Sequence, residues 1–137
     1  MTLDAFLDTN VLVYAAVGTV EEEEKREAAL DLIERVDFGI SAQVLQEFFV
    51  TVTRKVGAPM SSAEAMEWIE NFEAFPCLPL DSALVKLAVE TSVRYQVPYW
   101  DAAIITAAAS MGASTLYSEN LNSGQAFGSV TVINPFS

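Results

Sequence analysis

The sequence contains no histidine and one cysteine, Cys77. The first absence excludes Ser-His-Asp and Cys-His catalytic groupings and every histidine metal site. The second excludes an intrachain disulfide and a cysteine-ligated zinc cluster. Cys77 stands in the apolar stretch Phe75-Pro76-Cys77-Leu78 and reads as a small hydrophobe rather than a nucleophile. The 6 glycines are scattered, so there is no glycine-rich phosphate loop. Basic residues are scarce: 7 Lys and Arg stand against 19 Asp and Glu, a formal net charge of −12. That balance argues against broad, nonspecific affinity for nucleic acid. The longest apolar run, Ala102 to Ala109, is too short to span a bilayer. The opening Met1-Thr2-Leu3-Asp4-Ala5-Phe6 has no basic n-region. No signal peptide is expected, therefore, and a cytoplasmic location is.

What remains is a chain of 137 residues, 52% hydrophobic and 19% charged. That describes one globular domain over residues 1–137, long enough to bury a core without staples. Its chemistry must come from carboxylates, hydroxyls, amides and a few bases. Carboxylates dominate, and they favour hard cations such as Mg²⁺ or Mn²⁺. The acids are unevenly spread: Glu21 to Glu24 form a run, and Glu64, Glu67, Glu70 and Glu73 recur at helical spacing.

Strand and helix signals alternate along the chain. Residues 3–8 read as a short strand ending in Asp8, and Asp8-Thr9-Asn10 offers capping types for a helix. Thr19-Val20-Glu21-Glu22 matches a capping box before a helix striped by Ala29, Leu32, Ile33 and Val36. Phe38 to Ser41 is a strand candidate, and a strong helix runs from Ala42 to Val56. Gly57-Ala58-Pro59 breaks the chain, and Ser61-Ser62-Ala63-Glu64 opens the next helix. Phe75 to Leu80, interrupted by prolines, predicts an edge strand. Asp81 caps a helix to about Arg94. The Ala-rich helix from Tyr99 to Met111 is apolar all round and should lie at the centre. Ser114 to Tyr117 and Ser129 to Ile133 complete the strands. Such alternation predicts an α/β fold, a three-layer α/β/α sandwich with a central, mainly parallel sheet. Sites in such sheets form beyond the carboxyl ends of the strands.

Five residues occupy positions that could reach such a site. Asp8 ends the first strand, where it serves equally well as a helix N-cap or as a site carboxylate. Glu47 falls at the border of the apolar arc made by Val44, Leu45, Phe48 and Val52. A solvated helical Glu accounts for it as readily as a ligand facing a cleft does. Asp101 stands in the first turn of the Ala-rich helix, where the helix dipole favours an acid. It is the only charged residue between Arg94 and Glu119, and in a buried helix such a charge should be paired or metal-bound. Glu119 and Asn120 follow a strand in Ser118-Glu119-Asn120-Leu121, a stretch also suited to a plain turn.

Taken in order, Phe-Leu-Asp8-Thr-Asn-Val-Leu, Val-Leu-Gln-Glu47-Phe, Tyr-Trp-Asp101-Ala-Ala-Ile and Leu-Tyr-Ser-Glu119-Asn-Leu resemble PIN-domain ribonucleases of the VapC-like toxin group. The likeness runs from about Leu3 to Asn134. It implies a metal-dependent endoribonuclease, the toxin of a toxin–antitoxin pair. Asp8, Glu47 and Asp101 would hold one or two Mg²⁺ or Mn²⁺ ions, with Thr9 or Asn10 orienting Asp8. The fourth acid of the family falls at Asn120, whose amide brings no charge and cannot act as a base. Glu119 would then substitute as a ligand. Hydrolysis by an activated water would leave 5′-phosphate and 3′-hydroxyl ends. Arg54, Lys55 and Arg94 are candidates for phosphate contact with the RNA substrate, and ordinary solvent-facing bases by the other account. The resemblance also implies a homodimer, a cognate antitoxin partner and no membrane association. Two other readings are a PIN-fold binding module weakened in catalysis, favoured by Asn120, and a phosphatase of small substrates. The phosphatase would want a lysine near Asp8 in sequence, and there is none.

Overall fold

A computed structural model describes residues 3–17, 19–55 and 59–137, with the Lys55 side chain outside the description. Strand β1 (Ala5–Leu7) leads directly into α1 (Thr9–Ala16), and a 3-10 turn (Val20–Glu22) precedes α2 (Glu23–Arg35). Strand β2 (Phe38–Ser41) runs into α3 (Ala42–Val50), which opens into a wider π-helical turn (Thr51–Lys55). Then follow α4 (Ser62–Phe72), β3 (Cys77–Leu78), α5 (Ser82–Tyr95), α6 (Tyr99–Ser110), β4 (Thr115–Tyr117), β5 (Ala126–Phe127) and β6 (Val130–Ile133). The strands lie in the order β3-β2-β1-β4-β6-β5, and every pairing is parallel except the β5–β6 hairpin. Crossovers between parallel strands are right-handed. The connections β1–β2 and β2–β3 step one way along the sheet, so they place α1 to α4 on one face. The connection β3–β4 steps the other way and places α5 and α6 on the opposite face. Helix α6 accordingly touches β2, β4 and β6 and is backed by α5. This is the predicted α/β/α sandwich.

Packing explains the local choices. Residues Ala102 to Ala108 of α6 are buried on every side, which is why that helix carries no amphipathic stripe. The α4 and α5 caps form as expected: Ser61 Oγ accepts from the Glu64 N–H at 3.1 Å, and Asp81 Oδ1 accepts from the Leu84 N–H at 2.8 Å. Strand β3 pairs only with β2, so the proline-flanked segment is an edge. At Gly39 a Cβ would stand 2.6 Å from Leu3 Cδ1 and 2.6 Å from Met111 Cε, so those two side-chain ends would have to move for a larger residue.

Three expectations need correction. Thr19 makes no side-chain cap to a backbone N–H; its hydroxyl meets Glu22 Oε1 at 3.3 Å. The first turn tightens to 3-10 geometry, a common helix entry, and α2 starts at Glu23. The helix expected from Ala42 to Val56 keeps α geometry only to Val50. The β-branched run Thr51-Val52-Thr53 crowds it, and the Thr53 hydroxyl donates to the Phe49 carbonyl at 2.6 Å, a back-bond that bends helices. Val56 and the predicted break at Gly57-Ala58 lie outside the described residues. Strand β5 was not anticipated. Its turn, Gly128-Ser129 with Gly128 at φ +63°, is a two-residue hairpin signal that short flanking strands conceal.

The core sets stability. Ile105, 2% exposed at the centre of α6, should cost about 2–5 kcal/mol when cut to Ala. Val93, 73% exposed on α5, should change stability by no more than about 0.5 kcal/mol. Urea unfolding of Ile105→Ala and Val93→Ala measures the contrast; equal losses would contradict this placement of the core.

Candidate active site

Connections leave β1 in one direction and reach β4 from the other, so the carboxyl ends of β1 and β4 flank the point where the topology switches. Open α/β sheets leave a crevice there. The register Leu7↔Tyr117 sets the ends of the two strands abreast, and the next residues are Asp8 and Ser118. Asp8 is 8% exposed. Its Oδ1 accepts the Thr9 N–H at 2.7 Å, capping α1, and its Oδ2 accepts the Ser118 hydroxyl at 2.8 Å. Cap and site residue are thus one carboxylate. Burial raises its pKa above the ordinary 3.8; the Ser118 and Thr9 hydrogen bonds oppose the rise, and the charge of Asp101 adds to it.

Helix α3 delivers Glu47. Ser41, at the end of β2, caps that helix through the Val44 N–H at 3.3 Å. Val44 and Phe48 turn into the core, and Glu47 sits half-buried at the border. Its Oε1 accepts from Thr9 Oγ1 at 3.2 Å and from Gln43 Nε2 at 3.3 Å. Thr9 therefore bridges two acids, its amide on Asp8 and its hydroxyl on Glu47. Burial raises the Glu47 pKa above 4.5, and Asp8 and Asp101 push the same way. Asp101, half-buried in the first turn of α6, has no side-chain hydrogen bond or ion pair among the described residues. Three acids from three segments thus lie within electrostatic reach of one another. Ser118 and Gln43 were not singled out from sequence. The hydroxyl directly after a strand and the polar residue one helical turn before Glu47 were the available signals.

Glu119 lies elsewhere. Its Oε2 pairs with Lys25 Nζ at 2.6 Å, and its Oε1 accepts the Tyr14 hydroxyl at 2.8 Å. Lys25 rests 4.9 Å from the Tyr14 ring centroid, and the Phe136 ring meets Tyr14 edge-on at 4.9 Å. The Glu119 hydrogen bond, and then that of Tyr14, hold the Lys25 pKa above its usual range. In this structure Glu119 links α1, α2 and the loop after β4 through Tyr14 and Lys25, and it makes no hydrogen bond to the three acids. Asn120 is exposed, and its backbone N–H donates to Ser118 Oγ at 3.2 Å. The Asn10 amide makes no hydrogen bond to Asp8: both its polar atoms are buried without a partner among the described residues. Arg54 is exposed just past α3. Arg94 stacks 5.2 Å from the Tyr95 ring and lines a separate groove with Thr106 and Phe127 that contains none of the three acids. Cys77 is half-buried, and burial pushes its thiol pKa up, in keeping with an inert role.

The donor set suits a hard divalent cation, being all oxygen. Among the described residues no three acidic side chains stand close enough to hold one ion between them. The pKa values of Asp8 and Glu47 are raised first by burial and further by neighbouring acids, so the ionised forms are disfavoured here. A cation would reverse that.

The pKa shifts fix the sign of a pH effect. The folded values lie above the ordinary 3.8 and 4.5, so the folded state holds these protons longer than the unfolded chain. Their stabilisation is complete below those values and is lost as pH rises through the folded ones. In metal-free protein, wild type should therefore gain stability relative to Asp8→Asn as the pH falls from neutral toward the ordinary carboxylate range. Urea midpoints across that range report it; a difference independent of pH would contradict the raised Asp8 pKa.

Comparison with known proteins accords with this geometry. The PIN domain model matches residues 5–122. No curated protein sequence matches the chain. Among solved structures, a toxin–antitoxin complex from Klebsiella pneumoniae superposes with a TM-score of 0.72 at 17% identity, covering 97% of this chain and 98% of that one. The sarcin–ricin loop cleaving toxin VapC20 of Mycobacterium tuberculosis superposes at 0.67 with 18% identity, covering 85% and 90%. VapBC2 from Rickettsia felis, bound to a promoter DNA fragment, superposes at 0.64 with 16% identity, covering 95% and 97%. At such identities the superpositions establish the fold, and the family match extends over most of the sequence: the chain belongs to the PIN-domain family.

Proposed function

We propose that this protein is a metal-dependent endoribonuclease that hydrolyses RNA phosphodiester bonds, and that it is the toxin of a toxin–antitoxin pair in the cytoplasm. The observation that carries the reading is that Asp8, Glu47 and Asp101 lie within electrostatic reach of one another in a PIN-domain chain, and a bound cation would draw them together. Those three carboxylates would hold Mg²⁺ or Mn²⁺. The ion supplies Lewis acidity, activating a water and neutralising charge that develops on the phosphate. The chain's own residues prepare the site. Ser118 and the Thr9 amide fix the two oxygens of Asp8. The Thr9 hydroxyl and Gln43 steer Glu47. Because outer partners of this kind orient ligands, they matter nearly as much as the ligands do. Asn120, in the place of the family's fourth acid, leaves the site one negative charge lighter. Arg54 is the phosphate contact we assign.

A cognate antitoxin and a homodimer belong to the same proposal. The Klebsiella and Rickettsia structures are toxin–antitoxin assemblies. Helix α5 exposes Val85, Leu87, Val89 and Val93, apolar area of the kind that protein partners cover. Among the described residues no helix is long and apolar enough to cross a membrane. A second reading, a binding module without catalysis, draws on Asn120 and on the net charge of −12.

Purified protein with Mn²⁺ should cleave single-stranded RNA to 5′-phosphate and 3′-hydroxyl ends. Asp8→Asn, Glu47→Gln and Asp101→Asn should each lower the rate by at least about 100-fold, whereas Glu119→Gln should not. Gel assay of end-labelled RNA measures this. Equal residual cleavage by wild type and Asp8→Asn would overturn the nuclease and leave the binding module.

A further inference from the structure

Beside the acidic group lies an open groove of about 330 Å³, lined by Gln43, Gln46, Glu47, Val50, Thr51 and Trp100. It is continuous with the site, because Glu47 belongs to both. Gln43 ties them together: its Nε2 donates to Glu47 Oε1 at 3.3 Å and to the Trp100 carbonyl at 3.4 Å. Trp100 directly precedes Asp101, so an indole is carried on the turn that supplies the third acid. That side chain is 67% exposed, the more notable because the helix it begins is otherwise buried from Ala102 to Ala108. Gln46 is exposed one residue before Glu47, with an amide that offers a donor and an acceptor together.

The lining contains no Lys or Arg, and the whole chain has only 7 of them. A nucleic acid held here cannot draw most of its affinity from phosphate contacts. Stacking on an aromatic face is the other large source, and it requires a base that is unpaired and accessible. An exposed indole beside an amide, next to carboxylates suited to phosphate chemistry, meets that requirement.

We infer that this groove is a nucleobase subsite, which takes one unpaired RNA base beside the scissile bond, stacked on Trp100 and read at its edge by Gln46. The inference deepens the nuclease reading and rests on it. It makes Trp100 a binding residue and Gln46 a specificity-determining one, with Gln43 positioning both Glu47 and Trp100.

The chain has two tryptophans, and Trp68 packs on Phe72 at 5.7 Å between ring centroids. In a Trp68→Phe background, emission therefore reports Trp100 alone. Titration without metal with a short single-stranded RNA should quench it, and the same RNA annealed to its complement should not. By anisotropy of dye-labelled RNA, which does not need the indole, Trp100→Ala should weaken binding of the single strand by about 5- to 100-fold, with Trp100→Phe retaining most of it. In cleavage assays with Mn²⁺ the loss should appear in KM more than in kcat. Gln46→Ala should change the preferred base at the cleavage position. Thermal melting verifies that each variant is folded, and Trp100→Phe with the two RNA forms keeps the test decisive if Trp100→Ala is not.

Cleavage by wild type with an unchanged KM in Trp100→Ala would overturn the subsite while the nuclease stands. Quenching by unpaired RNA without any cleavage would support the subsite while the nuclease falls. If Trp100→Ala binds RNA normally but loses antitoxin, the groove is a peptide site and the inference is wrong.

Discussion

A carboxylate that is 8% exposed must be held by something, and the arrangement around Asp8 is the constraint on which the rest of this molecule depends. Ionised groups lose much of their hydration on burial, and only hydrogen bonds or opposite charge restore the balance. Here two hydrogen bonds, from the Thr9 amide and the Ser118 hydroxyl, offset that loss only in part, and neither brings a positive charge. The β1–β4 register makes the second bond possible by setting Leu7 against Tyr117. A slip of one residue would turn Ser118 to the other face and leave the carboxylate half-satisfied. The central strand pair is thus specified by its core residues and also by a polar contact at its end.

Around that carboxylate the sheet gathers its other parts. Right-handed crossovers put α3 and α6 on opposite faces, and both helices have their N-terminal turns at the carboxyl ends of the strands. Glu47 and Asp101 reach the same region for that reason. Glu119, in the loop after β4, has other partners. Glu119 is neutralised by Lys25 and Tyr14, with Phe136 closing over the tyrosine. The loop carrying Ser118 is thereby anchored to α1 and α2.

Much of this was legible in the sequence because it is local. The caps at Ser61 and Asp81, the buried Ala-rich helix and the proline-marked edge strand each follow from a few adjacent residues. So does the placement of Asp8 at a strand end and Glu47 at a helix border. The rest depends on pairing across long distances. Lys25 and Glu119 are 94 residues apart and Asp8 and Ser118 are 110 apart, and no periodicity announces either contact. In sequence Ser118 reads as a turn residue, Glu119 as a turn residue or a substitute ligand, and Asn10 as an orienting amide. Only the fold shows which partners each of them has. The short strand β5 and the widened turn after Val50 escaped for another reason: small local forces, a Gly-Ser turn and a threonine back-bond, decide them.

The central claim is that Asp8, Glu47 and Asp101 form one cation site. Anomalous diffraction from crystals containing Mn²⁺ tests it most directly. The account predicts a peak about 2.1 Å from carboxylate oxygens of this group, with Glu119 still on Lys25. A peak confined to surface acids such as Glu21 to Glu24, or on Glu119 freed from Lys25, would contradict it.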